Sequence, residues 1–251
     1  MSKPHILILT PLKNAAKNLE LYFSLLEKIS YPGKKISIAF LESDSTDTTY
    51  AAIEARLPQL KKKFRKATLW KKDFGFQIPA GQFRYWEPIQ FERRSVLARS
   101  RNQLLSRALQ DEEWVLWLDS DLLEYPTDII ERLLKFDKEI LHPNCVLDYG
   151  GPSFDRNAWR DKGSRHMHDL RAEGDLVPLD SVGGTMLWVK ADLHRDGLIF
   201  PAFAYGLENP KIRHDNLWKG ELETEGFGIL ASDMGYTCWG LPHLEIRHLR
   251  E

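Results

Sequence analysis

Two carboxylates separated by a single residue, Asp119 and Asp121, end an unbroken apolar run, Trp114-Val115-Leu116-Trp117-Leu118. Residues two apart on an extended chain project to one side, so both side chains can face one ligand. Hard divalent cations suit such a pair. Mg²⁺ and Mn²⁺ take oxygen donors, need only one or two carboxylates from a protein, and keep positions open for phosphate oxygens. A bare Asp-x-Asp is most often a solvated turn, but a pair following a buried strand sits where open α/β sheets bind ligands. Upstream, Arg94, Arg101 and Leu105 are spaced to share one face of a helix, with Asn102 beside them and Arg99 further round. Arginines in that position can grip a diphosphate through forked, charge-assisted hydrogen bonds; the plainer alternative is an exposed helix surface. Gly183-Gly184 precedes another apolar run and either lets backbone approach a sugar closely or marks a turn.

The elements that must position these groups alternate. Ile6 to Thr10 is a β-branched run stopped by Pro11, which predicts a buried strand, and Asn14 to Ile29 follows with helical spacing before the turn Tyr31-Pro32-Gly33. A second strand is expected over Ile36 to Leu41. After it, Ser43-Asp44-Ser45-Thr46-Asp47 can cap a helix over Thr48 to Leu57. The lysine-rich stretch from Lys61 to Lys72 reads as a solvated helix end and loop, and Phe74 to Phe91 as an aromatic loop or lid. Glu92 to Gln110 predicts the arginine-bearing helix, and Trp114 to Leu118 the strand before the Asp pair. Pro126-Thr127 opens a helix expected to run to about Ile140. Strands over Cys145 to Tyr149 and Thr185 to Val189 flank a polar stretch, Ser153 to Asp175. Strand and helix in turn predict an α/β fold: a mostly parallel, Rossmann-like central sheet flanked by helices.

With 251 residues, 43% of them hydrophobic, the chain can bury a sizeable core, and no linker or repeat divides residues 1–251. Lys+Arg 35 against Asp+Glu 36 leaves a net charge of −1, which gives no electrostatic footprint for nucleic acid. Cys145 and Cys238 are too few for a disulfide framework, and no apolar run is long enough for a membrane span. The chain as it stands is therefore expected to be soluble and cytoplasmic.

Several ordered motifs, taken together, resemble a known family. They are Glu92-Arg93-Arg94, Arg99-Ser100-Arg101-Asn102, Trp117-Leu118-Asp119-Ser120-Asp121, Leu179-Asp180-Ser181-Val182-Gly183-Gly184-Thr185, His194-Arg195-Asp196-Gly197, Glu223-Thr224-Glu225-Gly226 and Met234-Gly235-Tyr236 with Gly240-Leu241-Pro242. In this series the chain resembles nucleotide-sugar glycosyltransferases of the GT-A fold, and more narrowly the fungal mannan polymerase mannosyltransferases, the Mnn9/Anp1/Van1 family. The resemblance runs from about Ile6 to His248.

It implies a single GT-A domain that moves mannose from GDP-mannose to a glycan acceptor with retention, giving an α linkage. Asp119 and Asp121 would hold Mn²⁺ (or Mg²⁺) with His248 as a further ligand. Thr10, Pro11 and Leu12 would meet the guanosine, as would Asp44, which can also be a helix cap. Arg94, Arg99, Asn102, Ser120, Gly183 and Gly184 would surround the donor. Arg101 would act with the Asp pair, while Asp180, Glu223 and Glu225 would lie on the sugar or acceptor side. The implied mechanism is front-face, with the leaving phosphate taking the acceptor proton, or a double displacement through Glu225 or Asp180. Another nucleotide sugar as donor, and a non-catalytic scaffold subunit, are the competing readings; a homo- or hetero-oligomer fits either.

Two features depart from the family pattern. His243 stands where Asn usually follows Gly-Leu-Pro, and Ser181 where Gly is usual. The fungal members carry a membrane anchor and act in the Golgi lumen, so the lumen is expected here only for a truncated chain.

Overall fold

A computed structural model describes residues 3–213 and 218–250. The strands are β1 (Ile6–Leu12), β2 (Ile36–Glu42), β3 (Lys66–Lys71), β4 (Trp114–Leu118), β5 (Leu122–Glu124), β6 (Ile140–Val146), β7 (Trp159–Arg160), β8 (Arg165–His166), β9 (Val177–Leu179), β10 (Met186–Lys190) and β11 (Cys238–His248). The helices are α1 (Leu19–Lys28), α2 (Thr49–Lys63), α3 (Glu87–Ala108), α4 (Ile129–Lys135), α5 (Ala191–Arg195) and α6 (Glu223–Asp233). Apart from the β7–β8 hairpin, the strands join one sheet in the order β3-β2-β1-β4-β10-β6-β11-β5, with β9 added alongside β11. The first four run parallel, as do β6 and β11, whereas β10 lies antiparallel between β4 and β6. This is a mixed α/β fold with a mostly parallel sheet.

Strand periodicity decides the layers. Ile6, Ile8, Leu116 and Leu118 face one side with Tyr22, Phe23 and Leu26 of α1, Ile53 of α2 and Ile129 of α4. Leu7, Leu9, Val115 and Trp117 face the other with Leu104 of α3, Leu193 of α5 and Phe227 of α6. Burial on both faces is what a continuous apolar run such as Trp114 to Leu118 requires.

Several boundaries differ from the sequence expectation. The lysine-rich stretch holds the end of α2 and then an edge strand, β3, where Lys66 and Lys71 guard an unpaired edge. The residue before α2 is Thr48, and the first helical amide, that of Thr49, donates to the Asp47 Oδ1 at 2.9 Å, while the Asp44 carboxylate bonds elsewhere. α3 begins at Glu87, taking in part of the aromatic loop, with a proline in its first turn. α4 ends at Lys135, and Ile140 opens β6 instead of closing that helix, so the strand expected over Cys145 to Tyr149 lies several residues earlier. The polar stretch from Ser153 contains β7, β8 and a 3₁₀ turn over Met167–Glu173. No helix among the described residues is long and apolar enough to cross a membrane.

Two pairings build the site end of the sheet. Because β10 is antiparallel to β4, its entry lies at the carboxyl end of β4, and the Asp119 amide donates to the Thr185 carbonyl at 3.0 Å. β11 shifts register between Leu241 and Glu245, so its first half pairs with β9 and its last two residues with β5, setting His248 opposite Leu122.

Candidate active site

The Asp119-Ser120-Asp121 turn opens into a cleft of about 1200 Å³, lined on one side by Pro11, Leu12, Lys13 and Ser43 at the ends of β1 and β2. The register of β11 brings the His248 Nε2 to 3.2 Å from the Asp121 Oδ1, while the Leu249 amide donates to the Asp121 carbonyl at 2.9 Å. The His248 Nδ1 lies 2.6 Å from the Leu249 carbonyl, which fixes the proton on Nδ1 and turns Nε2 to the carboxylate. The imidazole stacks on Phe154 with ring centroids 4.0 Å apart. Burial works against both charges, yet the pairing prevails: Asp121 is held below the usual carboxylate range and His248 above the usual imidazole value.

Asp119 has the opposite environment. Burial raises its pKa to about 7, with Asp121, Glu223 and Asp155 adding to the effect and Arg101 opposing it. The buried Arg101 bridges two acids, its Nη2 3.3 Å from the Asp119 Oδ1 and its Nε 2.8 Å from the Glu223 Oε1. Arg94, one face-repeat earlier, donates to the Leu222 carbonyl at 2.7 Å and pairs with Glu225. Both arginines thus tie α3 to the start of α6. Glu225 also receives the Arg213 Nη2 at 2.6 Å and the Trp159 indole N–H at 2.9 Å; burial still pushes its carboxyl up. Glu223 adopts φ +54°, a left-handed conformation costly for a side chain of its type, held by its bonds to Arg101 and Thr224.

The expected donor residues divide. Pro11, Leu12, Arg94, Arg101, Ser120, Gly184 and Glu225 line the cleft with the Asp pair and His248. Thr10 is buried below it, bonded to the Leu118 carbonyl and the Tyr22 hydroxyl. Asp44 accepts the Phe74 and Gly75 amides, anchoring the aromatic loop beside the cleft residues Ser43 and Phe76. Arg99 projects outward over the Phe74 ring, and Asn102 fastens the Phe200 backbone through two hydrogen bonds. Asp180 is not on the cleft wall: it accepts the Asp161 amide at 2.9 Å and pairs with Lys211. Of the two departures from the family pattern, His243 is exposed near the Arg171 carbonyl and Ser181 donates to the Asn157 carbonyl. Neither touches the Asp pair.

Asp155 is the group that sequence reasoning missed. Its Oδ2 accepts the Gly184 and Thr185 amides and the Thr185 hydroxyl at 3.0, 3.2 and 2.9 Å. The fully buried His142 lies 3.6 Å behind it. Burial opposes its ionisation, but His142 and the Thr185 donors outweigh this and hold it far below the usual range. The Gly183-Gly184 pair serves this packing: a Cβ on Gly183 would run into the Asp155 carboxylate and one on Gly184 into the Arg101 guanidinium. Gly183→Ala is accordingly expected to destabilise the fold by about 3 kcal/mol, read as a lower unfolding midpoint in denaturant. A midpoint equal to wild type would show that Asp155 can give way. Asp155 meets the Gly-Gly turn only across 29 residues of chain, so no local signal pointed to it.

Carboxylate oxygens suit Mn²⁺ or Mg²⁺, and the imidazole beside them is a ligand that Mn²⁺ accepts more readily than Mg²⁺. The Asp121 Oδ1 is buried and receives no hydrogen bond of good geometry, an orphaned acceptor that a cation would satisfy. Among the described residues no three His, Cys, Asp or Glu side chains form a ready metal cluster, so such an ion would take its remaining ligands from a diphosphate or water. The cleft wall also carries Lys13, Arg84, Arg93 and Arg156, which face it with positive charge.

Comparison with known proteins gives the family and the fold. The Anp1 family model matches residues 1–175 and 163–204. The mannan polymerase II complex anp1 subunit of Schizosaccharomyces pombe is 32% identical over 292 positions, covering 99% of this chain and 65% of that protein. The corresponding ANP1 subunit of Saccharomyces cerevisiae is 32% identical, covering 98% of this chain and 55% of that protein. The chain therefore spans between about half and two thirds of the length of these two relatives. Among solved structures, the mannosyltransferase PcManGT from Pyrobaculum calidifontis in complex with GDP-Man and Mn²⁺ superimposes with a TM-score of 0.62 at 15% identity, covering 99% of this chain and 57% of that one. TarS of S. aureus in complex with UDP-GlcNAc does so with a TM-score of 0.58, also at 15% identity, covering 98% and 59%. These structural neighbours share the GT-A glycosyltransferase fold, and the sequence matches, which extend across the Asp119-Ser120-Asp121 cleft, show that the chain belongs to the Anp1 family.

Proposed function

We propose that this chain is a retaining, metal-dependent glycosyltransferase that moves mannose from GDP-mannose to a glycan acceptor with an α linkage. The observation that carries the reading is the Asp121–His248 corner, with its orphaned carboxylate oxygen, at the mouth of a cleft large enough for a nucleotide sugar. Asp121 and His248 would hold Mn²⁺, with Asp119 beside them. When bound, the ion neutralises charge growing on the leaving diphosphate. The chain's own groups do the rest. Lys13, Arg84 and Arg93 surround the donor with positive charge, and Pro11 and Leu12 border the nucleoside end. Arg101 holds Asp119 and Glu223 in one fixed frame.

The two candidates for a covalent nucleophile are otherwise engaged. Glu225 is buried and ion-paired with Arg94 and Arg213, its Oε1 also accepting the Trp159 indole N–H, and Asp180 lies off the cleft. This supports a front-face course in which the leaving phosphate takes the acceptor proton. The relatives' names as subunits of mannan polymerase complexes support a hetero-oligomer, and also a second reading in which the chain binds the nucleotide sugar as a scaffold.

Thermal unfolding tests the donor and the metal. GDP and GDP-mannose near a hundred times Kd, with Mn²⁺, are expected to raise the Tm by about 5–10 °C, and EDTA to cancel the shift. Equal shifts with UDP-sugars, or insensitivity to EDTA, would refute the donor and metal assignment. Incubation with a mannoside acceptor should then give an α-anomeric proton signal by NMR. A β product refutes retention, and firm GDP-mannose binding with no product from any acceptor establishes the scaffold reading.

A further inference from the structure

One wall of the cleft is unlike the rest. Aromatic rings gather at the lip around the start of α3: Tyr85 and Trp218 line the cleft, and Phe91 meets Trp218 edge-on with ring centroids 5.8 Å apart. Tyr85 is 60% exposed and Phe91 40% exposed, an uncommon disposition for large rings with no solvation reason to gather at one edge. The lip is rooted rather than loose. The Gln90 side chain on the first turns of α3 donates to the Arg84 and Trp86 carbonyls at 2.6 and 3.2 Å, holding the turn that carries Tyr85 against the helix. Within it, the Trp218 indole N–H is buried without a hydrogen-bond acceptor. A buried donor left unmatched costs stability, so its place in a binding cleft points to an acceptor atom supplied by a ligand.

Ring faces together with one directed N–H donor match a neutral pyranose: its C–H faces lie on aromatic rings, and its hydroxyls take the hydrogen bond. A nucleoside diphosphate is served by the Asp121–His248 corner and by cations of which Arg84 also lies over the Tyr85 ring, 5.0 Å from its centroid. We infer that Tyr85, Phe91 and Trp218 form the acceptor subsite, binding a hexopyranose of the acceptor glycan against their rings with the Trp218 Nε1–H donating to one of its hydroxyls. This rests on the glycosyl-transfer reading above and adds to it the place of the second substrate.

The test uses the full chain and α-linked mannobiose as probe. Saturation-transfer NMR and titration measure mannobiose binding with and without GDP and Mn²⁺, and steady-state kinetics give separate KM values for acceptor and donor. Trp218→Phe keeps a ring and removes only the N–H, and Tyr85→Ala alters a mostly exposed side chain, so neither threatens folding. Each is expected to weaken mannobiose and raise its KM by about three- to tenfold, while GDP affinity stays within twofold. Unchanged mannobiose binding in both variants overturns the subsite, as does a parallel loss of GDP affinity, which would assign the lip to the donor. Loss of self-association or of subunit assembly with mannobiose binding intact also overturns it, because the lip would then be a protein-docking face. If wild type binds mannobiose at this lip but not GDP, the donor assignment fails while the subsite stands.

Discussion

Asp121→Ala is expected to abolish metal-dependent nucleotide binding and to lower turnover by a hundredfold to a thousandfold or more. The carboxylate is the anionic half of the Asp121–His248 corner, and its Oδ1 is the buried acceptor without a well-aligned donor. Removing it leaves a doubly charged ion with too few oxygen donors and leaves the leaving-group charge uncompensated. His248→Ala, which removes one neutral ligand, should weaken Mn²⁺ by a smaller factor, about tenfold. Isothermal titration of Mn²⁺ into the GDP-saturated protein measures both. Wild-type Mn²⁺ affinity in Asp121→Ala would sink the site assignment.

Asp155→Ala should give the largest loss of stability of any single cleft substitution, about 3–5 kcal/mol, or roughly 10 °C in Tm. It strands the Gly184 and Thr185 amides and the Thr185 hydroxyl, removes the charge facing His142, and frees the strand entry whose carbonyl holds the Asp119 amide. The effect carries a pH signature. The folded pKa of Asp155 is depressed, so its contribution is present above the unfolded value of about 4 and is lost as pH falls through the folded value. The stability gap between wild type and variant is thus expected to be full near pH 7 and to narrow in acid. A gap that is constant from pH 7 to pH 2 in denaturant titrations would show that the carboxylate acts by packing alone.

Local pattern carried the reading of the chain wherever local pattern decides structure. The apolar run into Asp119, the face shared by Arg94 and Arg101, and the parallel half of the sheet all follow from period and spacing. The places where it fell short have tertiary causes. The strand expected from Cys145 begins instead at Ile140 and runs through Pro143, beside which the register with β11 shifts between Leu241 and Glu245. Asp44 has the composition of a cap, but a left-handed φ of +55° turns it toward the Phe74 and Gly75 amides. Arg99 and Asn102 belong to the same short motif as Arg101, and helical geometry sends them to different neighbours. Asp155, Arg213 and Trp218 reach the cleft through long irregular segments, where no period links sequence to position.

The bridge from Arg101 to Glu223 spans 122 residues of chain, and the final strand supplies His248 to a turn formed by β4 and β5. Such contacts close late, because the entropy of large loops must be overcome before they form. The parallel half of the sheet, with α1 and α2, can therefore collapse into a native-like core while the Asp121–His248 corner is still absent. On the proposed function, metal-dependent GDP binding would be a clock for the last event of folding. In a refolding experiment, recovery of helical signal should precede recovery of Mn²⁺-dependent nucleotide binding, and the lag between them times the docking of β11.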